Sequence, residues 1–441
     1  MHKKFYIETY GCQMNFSDSE IVASVMRENN YDLSSDYKNA DVIFVNTCSV
    51  RDHAEQRVFK RLREMKSLKK KNQHLIIGVL GCMAERLKEQ LLEHEKSVDL
   101  IVGPDAYRDI PRLIEDAILG QKAINVILSA EETYADVNPV RLDRKGVSAF
   151  ISIMRGCENF CSYCVVPFTR GKERSRNPQT IVNEAIDLYK KGYREVTLLG
   201  QNVNSYQWIM DSGTVDFPEL IQKVALINPL LRVRFATSHP KDMSDKLLET
   251  IAGYPNICRS VHLPVQSGSS RILKLMNRKY DRQWYTERIE AIRRFIPDCS
   301  ISTDIICGFC SETEDDHKET LSLMEGAKYD FAYMFKYSER PGTTAAGKFR
   351  DDVPEEIKIK RLEEVIQLQQ KLSLISNQGD IGRTFEVLVE GESKRSKEFL
   401  SGRTSRNKVV ILPKMNFKSC DYVNVRISRC TAATLFGDGV I

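Results

Sequence analysis

At 441 residues, with 65 basic and 60 acidic side chains and 42% apolar residues, the chain has the make-up of a soluble globular enzyme of roughly two to four domains at ~100–200 residues each. No stretch approaches the ~18 unbroken apolar residues of a membrane helix, and Met1-His-Lys-Lys-Phe-Tyr6 runs straight into a strand pattern with no secretory leader. Twelve cysteines then point to the reducing cytoplasm, where thiols act as metal ligands or small buried hydrophobes and not as disulfides.

The first segment, residues 1–140, repeats one arrangement three times. Phe5–Tyr10 reads as a strand and ends at Gly11-Cys12; Asp41–Val45 ends at Asn46-Thr47-Cys48; His74–Leu80 ends at Gly81-Cys82. A helical stretch follows each strand. Ser17-Asp-Ser-Glu20 has the form of a capping box, Asp52 to about Lys71 is helix-forming, and so is Ala84 to about His94. Strands alternating with helices predict a parallel sheet covered on both faces. Its strand ends lie along one edge, so Cys12, Cys48 and Cys82 are expected to converge there. Three unrelated buried cysteines are the alternative, but core packing does not explain a cysteine in the same place after three successive strands.

The second segment, residues 141–375, opens with the densest motif of the chain. Cys157, Cys161 and Cys164 form a C-x3-C-x2-C triplet behind the apolar run Ala149–Met154. Thiolates are the ligands of iron–sulfur clusters, and three of them fill three corners of a four-iron cluster, leaving one iron open to a reactant. A structural zinc site wants a fourth Cys or His, and none stands between Phe150 and Val196. Apolar runs recur at 150–154, 195–199, 232–236, 260–263, 300–306 and 331–335. Six such units predict a partial (β/α)6 barrel. A long helix from Glu355 to about Asn377 closes the segment, with Ile359, Leu362, Val365, Ile366 and Leu372 near helical spacing.

Residues 376–441 change character. Phe385–Val389, Lys408–Leu412 and Tyr422–Ile427 are short strands between Gly, Ser and Asn turns, which predicts a small all-β barrel. The net charge of +5 is concentrated here, with eleven Lys and Arg against seven Asp and Glu, whereas residues 1–142 carry twenty against twenty-two. A basic appendage is the expected footprint for nucleic acid, and Gly402–Lys408 brings Arg403, Arg406 and Lys408 onto an apparent connecting loop.

Together the triplet, the three strand-end cysteines and the basic tail resemble the methylthiotransferases, a branch of the radical S-adenosylmethionine (SAM) enzymes, over essentially the whole chain. Asn46-Thr-Cys-Ser-Val-Arg51 with Ala54-Glu55, Gly81-Cys-Met-Ala84, Met154-Arg-Gly-Cys157, Cys164–Arg176, Thr237-Ser-His-Pro240 and His262–Gly268 resemble the subfamily that modifies N(6)-dimethylallyladenosine in tRNA. The tail is similar to the TRAM domain, an RNA-binding barrel. The resemblance implies an α/β chain with an N-terminal parallel-sheet domain, a central radical SAM barrel and a C-terminal TRAM barrel.

It further implies two four-iron clusters and SAM as cofactors. Cys157, Cys161 and Cys164 would hold the cluster that reductively cleaves SAM to a 5′-deoxyadenosyl radical; Cys12, Cys48 and Cys82 would hold an auxiliary cluster that supplies sulfur. A second SAM would supply the methyl group. Tyr163, Gly200, Gln201, Asp304 and Glu312 match SAM-lining positions, each with a structural role in the barrel as the alternative. Arg170, Lys172, Arg174 and Arg176 after the triplet, the basic helix of residues 57–71, and Arg403, Arg406 and Lys408 in the tail are candidate phosphate ligands. The implied partners are a prenylated tRNA anticodon stem-loop and an electron donor such as a flavodoxin or ferredoxin, with the chain acting as a cytoplasmic monomer away from membranes. Relatives that modify a ribosomal-protein aspartate or a threonylcarbamoyl-adenosine differ around residues 49–51 and 172–176, and a non-catalytic iron–sulfur RNA sensor would need no SAM pocket.

One departure stands out. Ile306-Cys-Gly-Phe-Cys-Ser-Glu-Thr313 has Cys310-Ser311 where the family usually has Pro-Gly. Cys307 and Cys310 form a C-x-x-C, read here as two incidental cysteines and not as a redox pair.

Overall fold

The structure is a computed structural model that describes residues 2–49, 52–143, 146–211 and 213–440, without the side chains of 52–55, 89 and 94. Val50 and Arg51 of the second cysteine motif, and the side chains of Ala54 and Glu55, therefore lie outside the described residues. The chain folds as two compact units, one comprising residues 1–142, 152–160 and 164–180, the other 143–151, 161–163 and 181–441. Among the described residues no helix is long and apolar enough to cross a membrane.

The first unit is built on a six-stranded sheet of β1 (Lys3–Tyr10), β2 (Tyr31–Leu33), β3 (Val42–Thr47), β4 (Ile76–Gly81), β5 (Leu100–Val102) and β6 (Ala123–Asn125), in the order β2-β1-β3-β4-β5-β6. Every pairing is parallel. The uninterrupted apolar run of β3 follows from burial on both faces. Val42 and Phe44 pack with Val22 and Met26 of helix α1 (Gln13–Glu28), whereas Ile43 and Val45 pack with Val58, Leu62 and Met65 of helix α2 (Asp52–Lys71). Each such fully buried side chain contributes about 1.5–3 kcal/mol, so the two-sided sheet holds its strand ends in fixed register. Three of its six strands, β2, β5 and β6, are only three residues long and carry no period that sequence reading detects.

Two local expectations change. α1 begins at Gln13 behind Cys12, and Ser17-Asp-Ser-Glu20 lies inside it, fully buried. The four polar residues are not a cap but a buried polar stripe: Ser19 meets Thr9 and Asn46, Asp18 meets two arginines, and Glu20 pairs with Arg141 at 2.8 Å. The helix expected over 84–94 is two pieces, α3 (Cys82–Leu87) and Glu89–His94, broken at Lys88 with φ +47°.

In the second unit the six expected barrel strands are present as Ser148–Ser152, Glu195–Leu199, Arg232–Ala236, Ser260–His262, Ser300–Cys307 and Phe331–Lys336. They form two three-stranded sheets in chain order, joined near the middle by a parallel bridge between Val233 and Ile257. The first strand ends two residues earlier than expected, because Met154–Arg155 turns away to pair with Arg174–Ser175. The long helix Glu355–Gln378 buries Lys358, Arg361, Gln369, Ser373 and Asn377 beside Val365, a largely polar face, and leaves Ile359 exposed.

Five strands, Thr384–Ser393, Ser396–Thr404, Val409–Pro413, Tyr422–Cys430 and Leu435–Gly439, close into a barrel around Val387, Val389, Leu412, Val425 and Leu435. The stretch 402–408 is the end of a strand and its turn, and it faces the protein. Arg406 and Lys408 each bond Asp380 at 2.7 Å and lie near Asp330, and Arg234 donates to Thr404 O at 2.7 Å. Asp380 is 2% exposed. Removing one partner of a buried ion pair strands the other charge. Asp380→Asn is therefore expected to destabilise the intact chain by about 3 kcal/mol, read as a lower denaturant midpoint.

Candidate functional site: two sets of three cysteines

Adjacent parallel strands bring the first set together. Tyr10 pairs with Thr47 and Thr47 with Gly81 across β1, β3 and β4, so Cys12, Cys48 and Cys82 each begin the turn beyond the same sheet edge. The glycines before two of them are required. Gly11 and Gly81 have φ of +121° and +87°, and a Cβ on either would stand 2.4 Å from Cys48 Cβ or from Asn46 Oδ1. All twelve cysteines are thiols, with no disulfide among the described residues.

The thiols sit in a polar frame. Cys12 Sγ donates to Asn15 Oδ1 at 3.1 Å, Asn15 Nδ2 donates to Asn46 Oδ1 at 3.2 Å, and Asn46 Nδ2 donates to Ser19 Oγ at 2.9 Å. A hydrogen bond from Cys48 pulls the Cys12 thiol down to about 6, with Arg170 adding to the effect against the cost of burial. Burial pushes the Cys82 thiol up, although Arg170 Nε donates to its Sγ at 3.2 Å.

Arg170 is the organising cation. It comes from the helix Val166–Arg170, six residues beyond Cys164, and is 3% exposed. Its Nη2 bonds Asp18 Oδ2 at 2.7 Å; Arg155, 1% exposed and two residues before Cys157, bonds Asp18 Oδ1 at 2.6 Å. Tyr107 Oη donates to the same carboxylate at 3.3 Å, and the Arg155 guanidinium lies 4.6 Å over the Tyr134 ring. Burial works against the Asp18 charge, but Arg155 and then Arg170 outweigh it and hold Asp18 below the usual carboxylate range.

These bonds correct the expectation of phosphate binding for three arginines. Arg170 faces Asp18 and Cys82. Arg174 forks onto Asp105 at 2.8 Å and caps the carbonyls of Ser129 and Glu132. Arg176 is buried against Thr180 and the Ser152 carbonyl. Lys172 alone of the four is exposed. In the tail, Arg406 and Lys408 are likewise committed to Asp380, and half-buried Arg403 pairs with Glu390 at 3.0 Å. On α2, Arg61 is held by Glu8 at 2.7 Å and Lys69 by Asp99, whereas Arg57, Lys60, Arg63, Lys66, Lys70 and Lys71 point to solvent.

Each thiol of the triplet receives an N–H donor. Asn159 Nδ2 donates to Cys157 Sγ at 3.4 Å and Val166 N–H to Cys164 Sγ at 3.4 Å in the first unit. In the second unit Arg278 Nη1 donates to Cys161 Sγ at 3.2 Å and reaches the Tyr163 hydroxyl at 3.4 Å. Donors aimed at sulfur are what thiolate ligands of a cluster call for.

The donor chemistry fits both clusters. Each set offers three soft thiols, and buried Arg170 Nη1 has no partner beside the first set, as a guanidinium awaiting an anionic group would. Among the described residues no three His, Cys, Asp or Glu side chains converge on one point as a single ion requires; a cluster's ligands stand apart around a cube.

Comparison with known proteins fits these features. Residues 4–103 match the uncharacterized protein family UPF0004, residues 151–324 the radical SAM superfamily and residues 380–440 the TRAM domain. The chain is 58% identical to the tRNA-2-methylthio-N(6)-dimethylallyladenosine synthase of Amoebophilus asiaticus over 448 residues, covering 99% of this chain and 92% of that one. It is also 58% identical to the enzyme of that name from Bacteroides fragilis, covering 100% and 96%. The chain belongs to the tRNA-2-methylthio-N(6)-dimethylallyladenosine synthase family. In fold it is similar to TsrM, a radical SAM methyltransferase from Kitasatospora setae, at a TM-score of 0.58 and 12% identity over 78% of this chain and 77% of that one. The cobalamin-dependent SAM radical enzyme OxsB gives 0.55 at 15% identity, over 83% and 56%.

Of the positions expected to line SAM, Gly200 is buried at the end of the second barrel strand and Gln201 follows with Oε1 unpartnered. Asp304 stands 3.4 Å from His262. Glu312 turns to the protein, accepting from Gly308 N–H at 2.8 Å and from Arg361 at 3.0 Å. At the departure from the family pattern Ser311 has φ +63°, a conformation that favours glycine, and Asp352 holds it by accepting from Ser311 N–H at 2.7 Å. Burial pushes the Cys307 and Cys310 thiols up, opposite to a redox-active pair. Residues that sequence reading missed are Asp18, Arg155, Asp105 and Arg278, whose partners lie far away in the chain.

Asp18→Asn is expected to leave Arg155 and Arg170 uncompensated and to destabilise the chain by about 3–5 kcal/mol. Because the folded pKa is depressed, this contribution is present above the ordinary carboxylate range and is lost as pH falls below it. The gap in denaturant midpoint between parent and variant should therefore be widest near neutral pH and shrink on acidification.

Proposed function

We propose that the chain adds a methylthio group at carbon 2 of N(6)-dimethylallyladenosine in tRNA, as a radical SAM methylthiotransferase with two four-iron clusters. The observation that supports this reading is one buried carboxylate that holds two arginines, one bonded to a thiol of the first cysteine set and the other two residues before the second. Asp18 holds Arg170, which bonds Cys82, and Arg155, which precedes Cys157.

The working segments are 1–140, which holds the auxiliary cluster on Cys12, Cys48 and Cys82; 141–375, which holds the SAM cluster on Cys157, Cys161 and Cys164; and 376–441, the TRAM barrel. When bound, these groups supply one-electron reduction of SAM at an open iron and the sulfur to be transferred, chemistry that an adenine C–H, neither acidic nor electrophilic, calls for. The chain's own residues do the rest. Asn159, the Val166 amide and Arg278 donate to the triplet thiols and favour their anionic form. Arg170 supplies positive charge to the first set, and its burial keeps water from competing. Tyr163, Gly200, Gln201 and Asp304 line the SAM side of the barrel, and Glu312 braces the loop behind them.

RNA is gripped by exposed cations. These are the solvent face of α2, Lys172, and the turn Lys394-Arg395-Ser396-Lys397 of the TRAM barrel, all exposed except Ser396. The buried arginines serve the fold. The protein works in the cytoplasm as a monomer and takes its electrons from a flavodoxin- or ferredoxin-like donor.

Anaerobic reconstitution should load about eight irons per chain, two clusters of four. Cys157→Ala should abolish SAM cleavage and keep about four irons, whereas Cys12→Ala should retain cleavage and lose sulfur insertion. Thiolation surviving Cys12→Ala tells against the two-cluster assignment. Replacing Lys60, Arg63 and Lys66 with Ala is expected to weaken stem-loop binding. The slope of log affinity against log salt should fall by about one for each phosphate that is no longer neutralised. An unchanged slope would remove α2 from the RNA interface.

A further inference from the structure

The second and third barrel strands, Glu195–Leu199 and Arg232–Ala236, run into two loops that are bonded to each other. Val203 N–H donates to Thr237 O at 2.9 Å, His239 N–H donates to Asn202 Oδ1 at 3.0 Å, and Asn202 Nδ2 donates to Asp242 at 2.7 Å. In a pair of loops so well tied, four buried polar atoms have no partner: Gln201 Oε1, Asn204 Oδ1, Ser238 Oγ and His239 Nε2. Buried polar atoms are almost always bonded, so such a group calls for partners that a bound ligand or an ordered water supplies.

His239 gives that place its chemistry. The residue is 5% exposed, and its Nδ1 accepts the Lys241 N–H at 3.3 Å. The neutral ring therefore carries its proton on Nε2, so the unpartnered atom is a donor. Burial, and then the neighbouring charges of Arg278 and Lys241, lower its pKa to about 2 and keep it neutral. The ring packs edge-on against Tyr280 at 5.7 Å; Tyr280 Oη accepts from Arg278 Nε at 2.8 Å, and Arg278 Nη1 reaches Cys161. A neutral donor thus stands one aromatic ring and one guanidinium away from the middle thiol of the triplet.

We propose that His239 Nε2–H donates to a ring nitrogen of the adenine being modified, N1 or N3, and so positions the carbon 2 that lies between them. This rests on the functional reading above. A neutral donor suits a neutral heteroaromatic acceptor. The adenine of SAM offers the same ring acceptors, so the test separates the two sources.

The probes are a synthetic anticodon stem-loop carrying N(6)-dimethylallyladenosine and its 1-deaza and 3-deaza counterparts, assayed with parent, His239→Phe and His239→Gln, each checked for iron content and melting. His239→Phe should lose about tenfold in kcat/KM on the natural stem-loop, the worth of one neutral hydrogen bond, with no change in the Kd for SAM. His239→Gln, which keeps an N–H donor, should recover part of the loss. On the deaza RNA that lacks the bonded nitrogen, parent and His239→Phe should turn over alike. Unchanged kcat/KM in His239→Phe, or a further full loss on both deaza RNAs, overturns the assignment. A weakened Kd for SAM also overturns it and gives the donor to SAM. A parent that leaves the prenylated stem-loop unmodified contradicts the functional reading itself, before any variant is compared.

Discussion

One buried carboxylate carries the first unit. Asp18, in the helix behind Cys12, is bonded by both Arg155 and Arg170. Through them it ties the sheet edge with three thiols to the chain segments on either side of the triplet. A guanidinium removed from water is destabilising by several kcal/mol, and mutual attraction offsets this only with good geometry. Here the geometry is a fork of 2.6 and 2.7 Å bonds with Tyr107 as a third donor. The arrangement leaves positive charge in a dry place beside the sulfur of Cys82.

The same internal use of charge shapes the second unit. Arg278 bonds Cys161, Tyr163 and the Tyr280 hydroxyl, and Arg406 and Lys408 share Asp380. Eight of the basic residues expected to meet RNA are thus bonded within the protein, whereas the solvent face of α2, Lys172 and the cations of the turn 394–397 are exposed.

Much of this was legible in the sequence. Gly-Cys at a strand end is a strong signal, because Gly11 and Gly81 need positive φ and leave no room for a Cβ. The six apolar runs of the second segment are all strands in the structure. What failed was any inference that depended on a distant partner. Ser17–Glu20 resembles a cap because its spacing is local, but Asp18 is explained by residues 155 and 170. Arg406 and Lys408 look like a basic loop until Asp330 and Asp380 fold against them. Strands of three residues, such as β5 and β6, carry too few side chains to show a period and are specified by their neighbours.

The most direct test of the two-set account is a crystal structure of the anaerobically reconstituted protein with anomalous data at the iron edge. The account predicts two separate four-iron peaks, one bound by Cys12, Cys48 and Cys82 with Arg170 donating toward it, the other by Cys157, Cys161 and Cys164. A single iron site, or a first cluster held by other residues, would contradict it.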